Sequence, residues 1–463
     1  MDKSVLWSLR LGFSSKQASV IKAKGLDNFL KASFDSKVNE NIPSFLDDDP
    51  KTLNEIKAYR KEYRHASTPD DKKMLRKKVQ NTNDLKLWWI GKMKKDEYPL
   101  REKMVCFWHN HFVATGQKVK MNYWIYQHHM ILQKNAFGNF KELTKQIVKS
   151  NAMVRYLDNT ENKKGKINEN LSRELLELFT LGIGNYTEED IKNGAKALAG
   201  LGLGDKSAKY RKNLEPHEVI TYLGNSGYHK ADDLIDIIFE QKNIPFLLTK
   251  KILQWFIYDN PSDELVQYYG NYFREVDFEI KPLLQYIFLE EYKKDKAGHK
   301  IKDPLIFAMQ ILHELQLHEI DSEFINFFLK QQGMDLFEQP NVKGWVGGAS
   351  WLTSQTYLQR NKIVDLVCNG TSLTKRGFKK SDKNTMDKIA GMQPKINISP
   401  RATDNKKIII ELSDRLLFSV GPSMAEDMEK ILKYDFDPKS ENAENAILRL
   451  FNYIAKTPEF QLI

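Results

Sequence analysis

Cysteine is scarce in this sequence. The 463 residues include two cysteines, Cys106 and Cys368, and no Cys-x-x-Cys pair. Two cysteines cannot build a disulfide framework, and without a Cys-x-x-Cys pair the usual zinc and dithiol motifs are excluded. The apolar fraction of 41% is instead large enough to bury a sizeable hydrophobic core.

Long apolar runs and familiar catalytic motifs are also missing. No segment approaches the roughly 18 apolar residues of a membrane span. The start, MDKSVLWSLRLGFSSKQ, lacks the apolar stretch of a signal peptide. No Gly-x-Ser-x-Gly elbow, phosphate-binding loop or His-Glu-x-x-His motif occurs. We therefore expect a soluble, cytoplasmic protein outside those enzyme classes.

The net charge is positive, with 71 Lys and Arg against 61 Asp and Glu, a formal charge of +10. A basic surface can attract nucleic acid by releasing counterions. The lysine pairs are scattered through polar segments, however, and no zinc-finger spacing or RNA-binding aromatic signature accompanies them. A solvated surface is the favoured interpretation, and a nucleic-acid function ranks last.

Apolar residues recur at helical period along most of the chain. This predicts a mainly α fold, a large multi-helix domain with long irregular loops and little or no β-structure. Within the centre, Pro99 and Gly138 mark helix boundaries, Gly182 ends another helix, and Thr187 with Asp190 predicts a capping box. The predicted regions are an N-terminal helical region (1–95), a central helical core (96–368), a polar insertion or linker (369–405) and a C-terminal helical tail (406–463).

The segment FWHNHF, residues 107–112, carries two histidines one residue apart. On a helix, His109 and His111 point about 200° apart, so they cannot chelate one metal together. Met104, Phe107 and His111 follow i, i+3, i+7 spacing, which puts His111 on the buried stripe. Buried polar side chains need hydrogen-bond partners, which a structural network or the wall of a site could supply.

The predicted partner of His111 is Glu174, in the segment NENLSRELLELF. Glu174 and Glu177 lie three residues apart, on neighbouring positions of one helical face. Two close carboxylates in a dry site can supply an acid and a base, or hold a divalent metal with a histidine. The alternative is that Glu174 only accepts hydrogen bonds from His111 or Trp108, while Glu177 pairs with Arg173 at the surface. The candidate catalytic residues are His111, Glu174, His109 and Glu177.

The loop PNVKGWVGGASW has three glycines between two tryptophans. Trp345 and Trp351 could offer flat faces to a substrate, or could plug the core. The candidate substrate-binding residues are Asn110, Asn341, Trp345 and Trp351. His128 and His129 diverge by about 100° on a helix, so we expect one to face the core and the other solvent.

Three stretches, KMVCFWHNHFVAT, the segment from KNAFGNFKELTKQ to GNYTEEDIKNGAKAL, and GMDLFEQPNVKGWVGGASWL, resemble the bacterial "domain of unknown function 1800" family. The resemblance spans nearly the whole chain and implies a helical fold. It also implies a sulfatase- or phosphatase-like partner protein, and export or a periplasmic location as the alternative to the cytoplasm. The chain departs from the family pattern at Ala199-Gly200-Leu201 and at Glu215-Pro216-His217-Glu218.

Two functions remain open at this point. The first is an enzyme with a buried His/Glu centre, performing hydrolysis or metal-assisted chemistry on a glycan, peptide or ester. The second is a non-catalytic helical scaffold or maturation partner. The cofactor is unknown, with a divalent metal as one option.

Overall fold

The structure is a computed structural model of the 463-residue chain. It describes residues 1–62, 69–294, 298–317, 320, 322–369, 394–399, 401–433, 436–440 and 442–463. Most of the predicted insertion at 369–405 therefore lies outside the described residues. Across the described chain the fold is mainly α, as the helical periodicity predicts.

The first half of the chain forms twelve α-helices in the described residues. They are α1 (Lys3–Leu11), α2 (Ala18–Lys24), α3 (Leu26–Phe34), α4 (Leu53–Glu62), α5 (Pro69–Lys95), α6 (Leu100–His111), α7 (Gly116–Val119), α8 (Asn122–Lys134), α9 (Phe140–Val148), α10 (Asn151–Tyr156), α11 (Asn170–Glu174) and α12 (Glu188–Leu198).

Ten further α-helices follow in the part of the second half that the structure describes. They are α13 (Ala231–Glu240), α14 (Ile244–Phe256), α15 (Asp263–Glu275), α16 (Ile280–Lys293), α17 (Pro304–Glu314), α18 (Ser322–Gln331), α19 (Ser354–Asn369), α20 (Asn405–Leu416), α21 (Pro422–Ile431) and α22 (Ala443–Ala455).

Two short antiparallel hairpins occupy the glycine-rich stretch at 200–232. Strand β1 (Leu201–Gly202) pairs with β2 (Lys209–Tyr210), and β3 (Ile220–Tyr222) pairs with β4 (Asn225–Gly227). Both hairpins pack beside α12, which begins at the predicted capping box: Thr187 and Asp190 exchange their hydrogen bonds.

Helix α6 carries FWHNHF and lies in the centre of the fold. It begins directly after Pro99. Its most enclosed side chains, together with that of the residue that caps its end, are Met104, Val105, Cys106, Trp108 and Phe112. The buried apolar side chains form one cluster that runs from Val5 to Ile463. The two ends of the chain join this body through backbone bonds, Asp2 to Asp414 and Lys300 to Ile463. No helix among the described residues is long and apolar enough to cross a bilayer.

Close packing between two helices determines where Glu174 lies. Ser172 of α11 donates to the Ile191 carbonyl of α12 at 2.8 Å. The approach depends on Gly194, because a Cβ there would lie 2.4 Å from Ser172 Oγ and 2.9 Å from the Tyr222 ring. A Cβ at position 194 therefore requires Ser172, two residues before Glu174, or Tyr222 to move.

We predict that Gly194→Ala destabilises the protein, although alanine favours a helix over glycine by about 1 kcal/mol. Overpacking against Ser172 and Tyr222 should cost about 1–3 kcal/mol and reverse that preference. The matched control is Gly91→Ala in α5, where the nearest atom to the new Cβ is 3.9 Å away. Thermal denaturation should show a lower Tm for Gly194→Ala and an unchanged or higher Tm for Gly91→Ala.

Candidate functional site

Helix α11 does not continue as an α-helix beyond Glu174. Residues Leu175–Thr180 form a π-helical turn, in which Leu181 N–H reaches the Leu176 carbonyl. π-turns leave terminal carbonyls unpaired and are frequent at functional sites. The Leu178 and Phe179 carbonyls are the groups here that need partners from outside the turn. Side chains from two other helices donate hydrogen bonds to them.

His111 and Lys251 are those two side chains. His111 Nε2 donates to the Phe179 carbonyl at 3.0 Å, and Lys251 Nζ of α14 donates to the Leu178 carbonyl at 2.8 Å. Lys251 Nζ also lies 3.2 Å from His111 Nδ1, which accepts a hydrogen bond from the ammonium group. With Nε2 donating and Nδ1 accepting, His111 is the neutral Nε2–H tautomer.

Burial controls the charge of both groups. Desolvation, reinforced by the Lys251 ammonium, holds the pKa of His111 well below its usual value. Desolvation also lowers the pKa of Lys251 to about 8. His111 is therefore neutral at pH 7, and its two ring nitrogens are used in holding the π-turn.

The predicted contact between His111 and Glu174 is wrong, because both nitrogens of His111 have other partners. Trp108 does not bond Glu174 either; its Nε1 donates to the Ala136 carbonyl at 3.1 Å. The spacing argument placed His111 correctly on a buried face, but it could not identify a lysine 140 residues further along the chain.

His109 belongs to a separate cluster of buried histidines. Its Nε2 lies 3.1 Å from His129 Nδ1, and the two rings stack with Trp89 and Phe337 packed against them. His128 donates from Nε2 to the Phe112 carbonyl at the end of α6. His128 and His129 are both fully buried, so the expectation that one of them faces solvent is wrong.

This histidine cluster does not form a metal centre. No three His, Cys, Asp or Glu side chains among the described residues are arranged to hold an ion. Burial is the main cause that lowers the pKa of all three rings, that of His128 to about 4. The cluster is therefore a neutral, aromatic part of the core.

Glu174 and Glu177, in contrast, lie at the edge of the core with their carboxylates half-buried. The predicted Arg173–Glu177 pair is wrong, since Arg173 bonds Glu169 and Glu188 at 3.0 Å. Glu177 accepts a hydrogen bond from the Tyr186 hydroxyl at 3.3 Å. The Glu174 carboxylate forms no hydrogen bond with any described residue.

The surroundings of Glu174 favour its protonated form. Burial raises the pKa of Glu174, and the neighbouring Glu177 charge adds to the rise, while Lys343 and Arg173 oppose it. Nearby Tyr156 has its pKa raised to about 12, mainly by burial and then by the Glu174 and Glu338 charges. Glu174 therefore has the environment of a general acid, a carboxyl that holds its proton more strongly than usual.

The predicted substrate-binding loop is close to Glu174, because the charge of its Lys343 opposes the rise in the Glu174 pKa. Asn110 of α6 anchors it: Asn110 Oδ1 accepts from Trp345 N at 2.6 Å, and Gly344 is in a left-handed conformation where a Cβ would lie 2.3 Å from that oxygen. The Trp345 and Trp351 rings are each only 4% exposed. They plug the core, as the alternative interpretation expected, and leave Asn341 exposed, where it accepts from Lys343 N.

Sequence reasoning missed Tyr156, Tyr186, Lys251 and Lys343. Tyr186 follows Glu177 by only nine residues, so its closeness in sequence was a signal that the hydroxyl could meet that carboxylate. Lys251 carried no local signal, because only the tertiary fold brings α14 to the π-turn.

Comparison with known proteins identifies the chain at the level of its family. The family described as "Protein of unknown function (DUF1800)" matches residues 5–462. The chain belongs to the DUF1800 family. No curated protein and no solved structure matches it. The DUF1800 resemblance that three motifs indicated is thus confirmed over nearly the whole chain, and the function must be argued from the site itself.

The buried histidines predict a steep loss of stability in mild acid. His109, His111, His128 and His129 have lower pKa values in the folded chain than in the unfolded chain, so unfolding takes up protons below pH 6.5. Stability should be retained above pH 6.5 and fall as the pH drops toward 4, by up to about 1.4 kcal/mol per pH unit for each histidine.

The check is a series of denaturation curves between pH 7.5 and pH 4, a range set by the histidine pKa of about 6.5 in unfolded chains. His128→Gln, which keeps a donor for the Phe112 carbonyl, should flatten the dependence. His217→Gln removes an exposed histidine and should leave the slope unchanged. Equal slopes in all three proteins would contradict the prediction.

Proposed function

We propose that this DUF1800 protein is a hydrolase that uses Glu174 and Glu177 as its acid–base pair. The proposal rests on one observation: the Glu174 carboxylate is half-buried and has no hydrogen bond to any described residue, and its pKa is raised by burial and by Glu177. A structural carboxylate at the edge of a core normally has a hydrogen-bond or ion-pair partner. Glu174 is instead available to give a proton to a bound molecule.

Glu174 acts as the general acid and Glu177 as the general base. Glu177 takes a proton from water, the resulting hydroxide forms a bond to the substrate carbon, and Glu174 donates its proton to the leaving oxygen as the old bond breaks. The net reaction is the addition of one water molecule across the bond that is cleaved. The Tyr186 hydroxyl donates a hydrogen bond to Glu177 Oε2 at 3.3 Å and so helps to orient that carboxylate.

A glycan is the substrate class that this pair suits best. Two carboxylates are sufficient to hydrolyse a glycosidic bond without a metal or an activated serine or cysteine. Peptide hydrolysis usually requires one of those further groups. Esters are intermediate, because their leaving oxygen also needs only an acid.

The histidines have a positioning role in this proposal. His111 and Lys251 bond the carbonyls of the π-turn that contains Glu177, while His109 lies among aromatic rings in the core. Neither His109 nor His111 forms a side-chain hydrogen bond with Glu174 or Glu177. His111 is therefore proposed to hold the backbone that presents Glu177, and His109 to pack α6 against α8 through His129.

A scaffold function has one observation in its favour. Ile183 and Val346 are 75% and 86% exposed, and they lie on the loops that follow Glu177 and Lys343. Exposed aliphatic side chains can form the centre of a protein contact. A sulfatase- or phosphatase-like protein, the partner that the family resemblance implies, is the candidate for that surface.

The test of the hydrolase proposal uses aryl glycosides and alkyl glycosides as substrates for the full chain. Glu174→Gln and Glu177→Gln should each lower kcat by about 10²–10⁴ on alkyl glycosides, the usual contribution of general acid–base catalysis. An aryl leaving group needs little protonation, so it should restore the rate of Glu174→Gln and leave Glu177→Gln slow. Glu188→Gln is the matched control, because it removes the exposed carboxylate that pairs with Arg173.

Equal losses in Glu174→Gln and Glu188→Gln would contradict the assigned roles. No turnover of any glycoside or aryl ester by the parent protein would favour the scaffold instead. In that case, Ile183→Asp with Val346→Asp should abolish a complex with the sulfatase- or phosphatase-like protein, measured by analytical ultracentrifugation, while Tm stays unchanged because both side chains are exposed.

A further inference from the structure

A cavity of about 270 Å³ is lined by residues that are far in sequence from Glu174 and Glu177. It is bounded by the turn after α1, the end of α5 and the last turns of α17, and its lining includes Phe13, Lys16, Met93, Lys95 and Leu312. A cavity of roughly 150 Å³ holds benzene, and small-molecule pockets start near 300 Å³. The cavity therefore has room for a compact organic ligand, about the size of an eight-carbon chain.

The floor of the cavity is mostly apolar, with Ser14 and Gln17 as the buried polar residues of its lining. Phe13, Met93, Met309, Leu312 and Leu317 come from three separate parts of the chain, and each keeps 4–7% exposure. Core neighbours such as Leu11 and Ile311 keep 0–1%. The small residual exposure is expected of side chains that line a space, and the flexible methionines suit a ligand with an aliphatic body.

The rim of the cavity is cationic. Lys16, Lys94 and Lys95 line it together with a single carboxylate, Asp96. Lys16 reaches the Lys95 and Asp96 carbonyls only at 3.5 and 3.3 Å, and neither Lys16 nor Lys95 forms an ion pair with a described residue. Two exposed ammonium groups thus lie at the mouth with their charge uncompensated.

An apolar floor below a cationic rim selects a particular ligand chemistry. A sugar or a nucleotide would leave its polar groups unpaired against Phe13 and the methionines, which costs free energy. A purely apolar molecule would gain nothing from the lysines. A molecule with a short apolar body and one terminal anion satisfies both surfaces.

We propose that this cavity binds a small amphipathic carboxylate, such as a medium-chain fatty acid. The chain lies on Phe13, Met93, Met309 and Leu312, and the carboxylate pairs with Lys16 and Lys95 at the mouth. The site uses none of the residues assigned to hydrolysis, so the two proposals stand or fall separately.

The experiment is calorimetric titration of the full chain with octanoate, octan-1-ol and butyrate at one ionic strength. Octanoate should bind one equivalent, and the alcohol and the short acid should each bind at least about tenfold more weakly, a difference of about 1.4 kcal/mol. The alcohol keeps the apolar body without the charge, and butyrate keeps the charge with a shortened body.

A charge-removal variant and its control assign the ligand to the cavity. Lys16→Gln with Lys95→Gln should weaken octanoate binding about three- to tenfold, which is about 0.7–1.4 kcal/mol for the two exposed charges together, and leave octan-1-ol unaffected. Lys24→Gln with Lys37→Gln removes the same net charge from exposed positions outside the cavity and should change neither affinity. All four lysines are exposed, so both double variants should fold.

Three results would overturn the proposal: no octanoate binding, equal affinity for octanoate and octan-1-ol, or an equal loss in the two double variants. The last would mean that octanoate responds to net charge alone. Hydrolysis of glycosides is measured separately, and its absence leaves this result unchanged.

Discussion

The structure around the candidate site depends on the unpaired carbonyls of one π-turn. Leu178 and Phe179 end a helix that has no following turn to bond them, and an unbonded buried carbonyl costs on the order of 1–3 kcal/mol. Lys251 and His111 meet that requirement, which ties α14 and α6 to the turn. The positions of Glu174 and Glu177 follow, because both belong to the backbone that these bonds hold.

This arrangement separates the two kinds of titratable group that FWHNHF and NENLSRELLELF contain. The histidines are enclosed and neutral, since burial lowers their pKa values. The glutamates are at the edge of the core, and Arg173, the nearest cation in sequence, is occupied by Glu169 and Glu188. Acid–base chemistry is therefore proposed for the carboxylates, and structure for the imidazoles.

Sequence periodicity predicted the features that depend on neighbouring residues. The start of α6 after Pro99 and the Thr187 capping box are both present. Sequence periodicity did not predict the features that depend on distant parts of the chain. His128 and His129 point about 100° apart, yet α8 is surrounded by α5, α6 and α9, so both directions lead into protein. The π-turn was equally hidden, because a 3.6-residue period assumes that the α-helix continues past Glu174.

The three polar residues of FWHNHF are best understood through the angles between them. Successive helical residues point about 100° apart, so three in a row reach three different neighbours. His109 meets α8 through His129, Asn110 holds the Trp345 loop, and His111 holds the π-turn. Each contact satisfies a polar group that burial would otherwise penalise. One turn of helix thereby places the Lys343 loop and the Glu177 turn relative to each other, and the environment of Glu174 is set by a motif that never touches it.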